Sequence, residues 1–582
     1  MDTNVESGLF NWFYPQGYHP YKIKWFDRLI AFSLFLIAFI GYVMTLTPSV
    51  GAGDNGELTT TLYNMGAGHP PGYPLFGIIG KLFTFLPIGD IAYRVNLFVA
   101  FFGAGAVFFL YLILVKLLGL NRDSRQPSLE IHIPSIAASF LFAFSFSHWG
   151  QAIGGEVYPL NVFLVSFMLY IMLLWYEEII LFRREDNPHF GERMTLFLGF
   201  VMGLSLTNHM LPLWNIVGYI FVMLPLTILI LVSERSKKFE EELYSRASAL
   251  ITFLILLLVS VILLYAFAIR VRMIFPEHLP LILIGIFLTP AYVTFYTILT
   301  RLKILKGKSA ATFIFILLCI AGVGIFIWFC NFVYKTTFIS KTNQYLFAIE
   351  KNVGGMISQT PIEPIFIILP ALVVAVIFLF GLYDSVIKKT NIEYGWVDKL
   401  IELFTYSGWL FIFAMSIYLY LMVRAVALAP LPDPKPLSWG DTQTLDILLN
   451  HMLRKQYGLG GGKEFMNFWG QVKTVIDFNL EQFHWINFVV ALIGFAYFLI
   501  KEKIWAIYTL LSSILLSVAL ILFINFELDP RTISFQEVFF IQEFFIVAIY
   551  IGFGFQLILD LSKNGKVWIK NLSQKSQIEV RR

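Results

Sequence analysis

Long apolar runs separated by short polar segments make up most of this 582-residue chain. Each run is about twenty residues long, which is the length an α-helix needs to cross the hydrocarbon core of a bilayer. The pattern predicts about fourteen membrane-spanning helices. We place them near residues 28–46, 95–119, 133–148, 160–176, 195–208, 211–232, 249–268, 279–300, 310–332, 364–383, 404–423, 485–500, 504–524 and 538–559.

The composition agrees with this pattern. Hydrophobic residues make up 58% of the chain and charged residues 14%, and the mean hydropathy is +0.74. A soluble globular domain is closer to one-half apolar and one-quarter charged. The fold class predicted is therefore an all-α integral membrane protein, a polytopic helical bundle with short helices in its extracytoplasmic loops.

Charge and cysteine content exclude some classes of function. The net charge of +4 is explained by basic loops, so nothing predicts a nucleic-acid partner. The two cysteines, Cys319 and Cys330, lie in one predicted helix at a spacing too long for a disulfide. The chain therefore has no disulfide framework and no thiolate metal cluster.

Basic residues concentrate in alternate loops, which places those loops and both chain ends in the cytoplasm. Only the segment IRVRMIFPEH departs from this rule. The first apolar run has span length and no small-residue cleavage pattern after it, so we expect an uncleaved anchor. Four regions follow: a membrane module with the first outward loop at 47–94, further membrane helices, an extracytoplasmic segment, and C-terminal membrane helices with a cytoplasmic tail. Their bounds are 1–232, 233–424, 425–484 and 485–582.

The first outward loop, GAGDNGELTTTLYNMGAGHPPGYPLFG, holds Asp54, Glu57 and His69 in an otherwise apolar region. Its glycines match a dinucleotide-binding pattern, but that pattern needs a preceding buried strand and here follows a membrane span. A second interpretation is that Asp54 caps a helix, with Glu57 completing a capping box. Capping is compatible with function, yet it does not account for His69 beside two prolines.

Other ionisable residues fall at the same predicted membrane edge, among them His148, Glu156 and His209. Charged groups at the border of membrane helices are costly unless they serve a site. For any one of them, a hydrogen-bonded or snorkelling side chain is the simpler explanation. Several on one face indicate a shared cavity.

Four segments together resemble a known family: GDNGELTTTLYNMGAGHPPGYPLFGIIGKLFTFLPIGDIAYRVNL, SHWGQAIGGEVYPLNVF, GLSLTNHMLPL and VRAVALAPLPDPKPLSWGDTQTLDILLNHMLRKQYG. The chain is similar to the DUF2723 family of GT-C-type membrane glycosyltransferases, which are like protein O-mannosyltransferases. The resemblance covers most of the first 220 residues and the segment Val423–Gly458. It implies a GT-C helical bundle, a sugar donor linked to polyprenyl phosphate, and a catalytic acid in the first outward loop.

The chemistry of such a transfer needs a base for the acceptor hydroxyl, and a carboxylate with a raised pKa at the membrane edge suits that role. Asp54 is the predicted base in a single, inverting displacement, and Glu57 orients it, holds the acceptor or joins a metal site. The departing phosphate needs positive charge or hydrogen-bond donors. The candidates for donor phosphate or sugar binding are His69, Tyr73, Arg94, Arg424 and Arg454, and Arg94 is equally well explained as an interfacial anchor.

A second set of residues is predicted to shape the acceptor or sugar pocket, with packing within the loops as the alternative for each. These are Glu156, Tyr158, His209, Trp439 and Asp441. No cofactor is assigned. Carboxylates beside an imidazole can hold Mg²⁺ or Mn²⁺, but the spacing defines no ligand set and lacks the paired histidines of a helical zinc site.

The predicted reaction takes place at the outer face of the cytoplasmic (inner) membrane, where a multi-pass enzyme turns its active site toward the periplasm or exterior. The expected partners are the polyprenyl-phosphate sugar donor, membrane lipid, and a Ser or Thr hydroxyl of an exported protein or, alternatively, an envelope glycan. The rival prediction is a transporter or lipid flippase. It is disfavoured because the spans are nearly free of Asp and Glu and show no internal repeat. A catalytically inactive scaffold is a third interpretation.

Overall fold

The computed structural model describes residues 20–120, 129–183, 191–224, 396–429, 431, 435–457 and 468–579. Within these ranges the chain forms helices joined by turns, with no β-strand, as the all-α prediction requires. The spans predicted between residues 225 and 395, and both cysteines, lie outside the described residues.

Seventeen α-helices are numbered here in chain order over the described residues. They are α1 Trp25–Met44, α2 Asn55–Asn64, α3 Pro74–Phe83, α4 Ile91–Leu118, α5 Leu129–Ala143, α6 Phe146–Ala152, α7 Tyr158–Arg183, α8 Glu192–Leu206, α9 Pro212–Gly218, α10 Trp396–Met415, α11 Leu419–Leu428, α12 Leu445–Met452, α13 Phe468–Lys501, α14 Lys503–Ile514, α15 Leu520–Ile524, α16 Pro530–Gln536 and α17 Ile541–Glu579. A 3₁₀ turn, Glu537–Phe540, joins α16 to α17.

Seven stretches of helix in the described part of the chain are long and apolar enough to cross a membrane, which makes this a multi-pass membrane protein. An eighth is counted if α5 and α6, bent by 63° at their junction, form one span. The predicted total of about fourteen is not confirmed by these residues. The span expected at 133–148 is broken because Ser145 adopts an extended backbone conformation (ψ 146°) between the two helices.

Two other predicted spans differ in length from the helices observed. The span expected at 195–208 is α8, whose 15 residues are fewer than the roughly twenty that cross a bilayer. The span expected to begin at residue 485 belongs to α13, which already begins at Phe468. His484 interrupts α13 with a positive φ of 62°, so the predicted boundary coincides with a break inside a longer helix.

The chain divides into two compact units. One comprises residues 1–253, 410–443 and 451–582, and the other comprises residues 254–409 and 444–450. In the first unit α4 is the central helix, with 78% of its apolar window buried against 28% for α1. It packs against α1, α5 and α7, so the loop that precedes it is anchored to the most buried part of the unit.

The helices α13 and α17 cross closely because glycines face each other at the crossing. A Cβ atom on Gly494 would clash with the Tyr550 carbonyl oxygen, and one on Gly554 would clash with the Val490 carbonyl oxygen. Small residues let membrane helices approach in this way. The glycines therefore fix the C-terminal helices against each other.

Buried carboxyl groups on the last span correct the expectation that the spans are nearly free of them. Glu543 accepts a hydrogen bond from Asn479 Nδ2 at 3.0 Å. Glu537 accepts from Gln482 Nε2 at 2.6 Å and from the Ser147 hydroxyl. Amide and hydroxyl donors can stabilise a carboxyl group away from water, so these residues tie α6, α13 and α17 together.

Candidate functional site

The candidate site lies at the N-terminal end of α2, which two buried asparagines hold in place. Asn55 Nδ2 donates to Asn96 Oδ1 at 2.8 Å and to the Gly154 carbonyl at 2.5 Å, and Asn55 Oδ1 accepts from Gly51 N–H at 2.8 Å. Asn96 Nδ2 donates to two carbonyl oxygens of the preceding loop at 2.7 and 2.9 Å. The two amides thereby connect α2, α4 and the segment before α7.

Asp54 occupies the N-cap position of α2, but its side chain accepts no capping hydrogen bond. The predicted capping box is therefore wrong. The reason is that Asp54 has helical backbone angles (φ −83°, ψ 0°) instead of the extended ones with which a capping side chain reaches the free N–H groups. Its backbone N–H donates to Glu156 Oε1 at 3.2 Å, and its side chain is 42% exposed.

One turn further along α2, Glu57 is bound to His69 by both the backbone and the side chain. Glu57 Oε1 accepts from His69 N–H at 2.7 Å and lies 3.1 Å from His69 Nδ1. On the other side of the ring, Tyr73 Oη lies 2.8 Å from His69 Nε2. An ionised Glu57 only accepts hydrogen bonds, so the imidazole proton lies on Nδ1 and Nε2 accepts from the Tyr73 hydroxyl.

Asp54 completes this cluster, since its Oδ2 lies 3.7 Å from His69 Nε2. Asp54, Glu57 and His69 can each offer one ligand atom, and these three atoms lie within 4.8 Å of one another. All three residues are half-buried. Two carboxylates and an imidazole form a donor set that suits Mn²⁺ or Mg²⁺. These are the residues that could hold a divalent cation, and Asp54 is the most exposed of them.

The late segment predicted to belong to the site does pack onto the first loop. Trp439 N–H donates to the Ala67 carbonyl at 2.9 Å, and Ala67 N–H donates to Ser438 Oγ at 3.0 Å. His451 Nε2 lies 3.0 Å from the Gly68 carbonyl, to which it donates. Burial lowers the pKa of His451 to about 4, so this donor is a neutral imidazole. The two segments therefore share one end of the first unit.

Glycines make this close approach possible. Gly72 has a φ of +94°, and a Cβ there would lie 2.5 Å from a Leu421 methyl carbon and 3.1 Å from His451 Nε2. A Cβ on Gly66 would clash with the Leu437 carbonyl oxygen. Larger residues at either position would separate the first loop from the late segment.

Two of the arginines that were predicted to bind phosphate, Arg424 and Arg94, donate hydrogen bonds to backbone carbonyl oxygens. Arg424 donates to the Met65 and Asn64 carbonyls at 2.8 and 3.0 Å, at the C-terminal end of α2. A cation there is favoured by the helix dipole. Ten residues of helix separate it from Asp54, which is about 15 Å along the axis. Arg94 donates to three carbonyl oxygens between α3 and α4, at 2.7, 2.7 and 3.0 Å.

Four aromatic rings, which we call the ring cluster, connect the first loop with the C-terminal helices: Tyr73, Tyr158, His209 and Phe539. Tyr73 stacks on His209 with ring centroids 5.9 Å apart and an interplanar angle of 16°. Tyr158 lies 5.6 Å from His209 and 5.7 Å from Phe539. Phe539 also contacts His209 at 6.4 Å. The backbone N–H of Arg454, a predicted phosphate ligand, donates to the His451 carbonyl at 3.0 Å, and its positive charge acts on both Tyr158 and His209.

Glu156 has the most unusual electrostatic environment of the predicted acidic residues. Burial raises its pKa to about 8, and the negative charges of Asp54 and Glu57 add to the increase. The hydrogen bond from Asp54 N–H acts in the opposite direction. At neutral pH Glu156 is therefore largely protonated, while the exposed Asp54 carboxyl lies beside it.

The remaining predicted residues lie on the surface of the late segment. Trp439 is 40% exposed. Asp441 is exposed, has a φ of 41°, and accepts a hydrogen bond from Gln443 Nε2 at 2.6 Å. Sequence reasoning missed Asn55, Asn96, His451 and Phe539 as parts of the site. The first three lie within the segments that carry the family resemblance, whereas nothing in the sequence distinguishes Phe539 from the many other phenylalanines.

Comparison with known proteins supports the likeness to protein O-mannosyltransferases for the N-terminal part of the chain. Residues 54–231 match the family model described as the Protein O-mannosyl-transferase TMEM260 N-terminal domain. The chain is similar to Protein O-mannosyl-transferase TMEM260 of Mus musculus, with 32% identity over 214 residues, 36% of this chain and 27% of that protein. It is similar to Protein O-mannosyl-transferase tmem260 of Dictyostelium discoideum, with 32% identity over 181 residues, 30% of this chain and 21% of that protein.

The chain thus aligns with about a quarter of the length of these curated relatives. The matched residues include the first loop, Glu156, Tyr158 and His209, and end before the late segment. The resemblance drawn for Val423–Gly458 stays a prediction. No solved structure matches the chain significantly.

Proposed function

We propose that this protein is a GT-C-type, DUF2723-like glycosyltransferase that moves a sugar from a polyprenyl-phosphate donor to a Ser or Thr hydroxyl of an exported protein. The reaction would occur at the outer face of the cytoplasmic membrane. Support comes from the names of the relatives, which are protein O-mannosyl-transferases, and from the helices long enough to cross a membrane. A donor with a prenyl tail dissolves in the bilayer and brings its sugar to the membrane surface.

Asp54 is the proposed catalytic base. Its carboxyl is 42% exposed, so an acceptor can reach it, and no helix N–H occupies it. In the proposed step Asp54 takes the proton of the acceptor hydroxyl. The hydroxyl oxygen then forms a bond to the anomeric carbon, and the bond from that carbon to the phosphate oxygen breaks. Polyprenyl phosphate leaves with the electron pair, and the configuration at the anomeric carbon is inverted.

Glu57, His69 and Tyr73 are proposed to position the reacting groups. Glu57 is fixed by two contacts to His69, and His69 Nε2 lies between the Tyr73 hydroxyl and Asp54 Oδ2. The Glu57–His69–Tyr73 chain therefore forms a fixed wall beside the Asp54 carboxylate, against which the acceptor is positioned. Such fixed groups contribute through orientation and through charge stabilisation in the transition state.

Positive charge for the leaving phosphate is assigned to Arg454. Its backbone N–H donates to the His451 carbonyl at 3.0 Å beside the first loop, and its charge acts on the ring cluster. Glu156 and Tyr158 are proposed to line the sugar or acceptor pocket. Trp439 and Asp441 are available on the surface for an acceptor peptide.

The observation that carries this proposal is the exposed Asp54 carboxyl within reach of the Glu57–His69–Tyr73 network. Purified protein in detergent should transfer mannose from a polyprenyl-phosphate donor to Ser/Thr-containing peptides, and mass spectrometry should find the hexose on the hydroxyl residue. A nucleotide-linked mannose should give no product. Transfer from the nucleotide sugar alone would reject the lipid donor.

One observation favours the alternative of a transporter or lipid flippase. The last span carries Glu537 and Glu543, both less than 8% exposed, and buried carboxyl groups in membrane helices often mark transport pathways. All the same, both are bound by amide or hydroxyl donors from neighbouring helices. Counterflow of a polyprenyl-linked sugar in proteoliposomes, without any glycosylated product, would support the transporter.

A further inference from the structure

His209 has one ring nitrogen with a partner and one without. Its Nδ1 accepts a hydrogen bond from Leu211 N–H at 3.1 Å. Its Nε2 is fully buried and has no hydrogen-bond partner. The residue as a whole is only 2% exposed. A buried donor without a partner costs free energy, so such a group calls for an explanation.

The hydrogen bond to Nδ1 determines the tautomer. An imidazole nitrogen that accepts from a backbone N–H carries its lone pair, so the proton of neutral His209 lies on Nε2. Burial, with a further contribution from the positive charge of Arg454, lowers the pKa of His209 well below its usual range. The residue therefore presents a neutral Nε2–H group that can donate and cannot accept.

The surroundings of His209 indicate what this donor binds. Its ring stacks on Tyr73, whose hydroxyl contacts His69 in the proposed catalytic cluster. Arg454 N–H donates to the His451 carbonyl at 3.0 Å, and the His451 ring donates to Gly68 in the first loop, so the Arg454 charge lies at the same end of the unit and acts on His209. A neutral donor beside a cation suits an anionic oxygen better than a cationic or hydroxyl-donating group.

Resting on the function proposed above, we infer that His209 Nε2–H and Arg454 together form the subsite for a phosphate oxygen of the leaving polyprenyl phosphate. Arg454 supplies the charge, and His209 supplies a directed hydrogen bond whose tautomer Leu211 fixes. The half-buried Phe539 ring also packs against His209, with centroids 6.4 Å apart. This inference assigns His209, which the sequence predicted to shape the pocket, the role of a phosphate ligand.

The test measures binding of polyprenyl phosphate, and of the uncharged polyprenol, to the full chain in detergent. His209→Phe keeps a ring in the cluster but removes the donor, and we expect it to weaken polyprenyl phosphate binding at least about tenfold, with polyprenol binding unchanged. His209→Gln places an amide N–H near the position of Nε2 and should retain most of the affinity. His209→Asn places its amide near Nδ1 and should lose it.

His148→Phe is the matched control, because His148 is also fully buried and stacked on an aromatic ring, with its Nε2 3.1 Å from the Gly103 carbonyl. Its binding should equal that of the wild type. If His209→Phe fails to fold, the difference in polyprenyl phosphate affinity between His209→Gln and His209→Asn still tests the inference.

Three outcomes would overturn the inference. They are wild-type affinity in both His209→Phe and His209→Asn, an equal loss for polyprenol, and a loss seen only when a sugar is attached to the phosphate. In each case wild-type binding of polyprenyl phosphate would leave the proposed function standing. A wild-type protein that binds no polyprenyl phosphate would reject the proposed donor as well.

Discussion

The helices α2 and α4 both begin at an aspartate in the same loop, but the two aspartates are used differently. Asp90, at the start of α4, accepts from Tyr93 N–H at 2.7 Å and from the Ser49 hydroxyl. Asp54, at the start of α2, accepts no capping hydrogen bond and faces His69. The Asp90 carboxylate stabilises its helix, whereas the Asp54 carboxylate does not cap its own helix and is the proposed base.

The difference shows how a carboxylate at a helix N-terminus can remain without a capping hydrogen bond in this fold. The start of α2 is held by the Asn55–Asn96 amide pair and by Glu156, which accepts the Asp54 N–H. These contacts fix the position of the first turn of α2 without the Asp54 side chain. The helix dipole still favours the negative charge of Asp54. A carboxylate at a helix N-terminus can thus be held in place by the backbone and by neighbouring side chains instead of by a capping bond of its own.

The largest effect that separates the two aspartates is expected from Asp54→Asn. The amide has the same shape but is a far weaker base, so the sugar-transfer rate should fall by about 10²–10⁴-fold. The unfolding temperature should stay close to that of the wild type because no capping bond is lost. Transfer rate and thermal unfolding are measured on the same preparations.

Asp90→Asn is the matched control for this substitution. Asparagine caps helices as well as aspartate does, so both the transfer rate and the stability should be nearly unchanged. Full activity in Asp54→Asn, or an equal loss in the two variants, would remove Asp54 as the base.

Much of this site could be predicted from the sequence because the polar residues are rare and close together. Asp54, Glu57 and His69 lie within sixteen residues of a loop in an apolar chain, and the structure brings them within 4.8 Å of one another. The meeting of this loop with the segment around Trp439 could be expected because both were predicted to face outward. The wrong capping box came from a pattern of residue types that contains no information on backbone angles.

The second largest effect is expected from Asn96→Leu, which removes the partner of Asn55 without touching Asp54. Asn55 Nδ2 would lose one acceptor, and the loop carbonyls bound by Asn96 would lose their donor. An unsatisfied buried group costs about 1–3 kcal/mol, and a displaced α2 terminus should lower the transfer rate about 10–100-fold. Unlike Asp54→Asn, this variant should lose both stability and activity.

Asn96→Asp provides the control for shape. It keeps the acceptor oxygen for Asn55 but replaces the donor that binds the loop carbonyls, so it should be nearly as unstable as Asn96→Leu. If either variant keeps both wild-type stability and wild-type activity, the asparagine pair does not hold the start of α2.

Other parts of the site could not be predicted for a physical reason: a side chain's type does not reveal its partner. Arg94 and Arg424 have the charge that a phosphate requires, yet backbone carbonyls at helix ends bind them. The asparagine pair involves neutral amides, which look ordinary in a sequence. Phe539 reaches the ring cluster only because the turn between α16 and α17 packs against Tyr158 and His209, and this long-range packing has no local signal.

The next effect concerns pH and comes from Glu156, the neighbour that accepts the Asp54 N–H. Its pKa of about 8 in the folded protein exceeds the ordinary 4.5, so the folded state holds this proton more tightly than the unfolded state. Stability from this group is complete below about pH 4.5, declines as pH rises, and is lost above about pH 8. Glu156→Gln, which cannot ionise, should flatten the decline of the unfolding temperature between pH 5 and pH 8.

The smallest effect is expected from Asp90→Ala, which tests the role of the aspartate at the start of α4. Removing the capping oxygen should lower the free energy of unfolding by about 1 kcal/mol, within the usual range of 0.5–2 kcal/mol for a lost cap. The Ser49 and Tyr93 hydrogen bonds keep the pKa of Asp90 below its ordinary 3.8, so the difference between variant and wild type should be present above about pH 4 and disappear on acidification. The transfer rate should stay at the wild-type level, because Asp90 holds a helix and Asp54 is the group left free to act. A loss of transfer as large as that of Asp54→Asn would show that both ends of the loop serve the reaction, and the distinction between the two aspartates would fail.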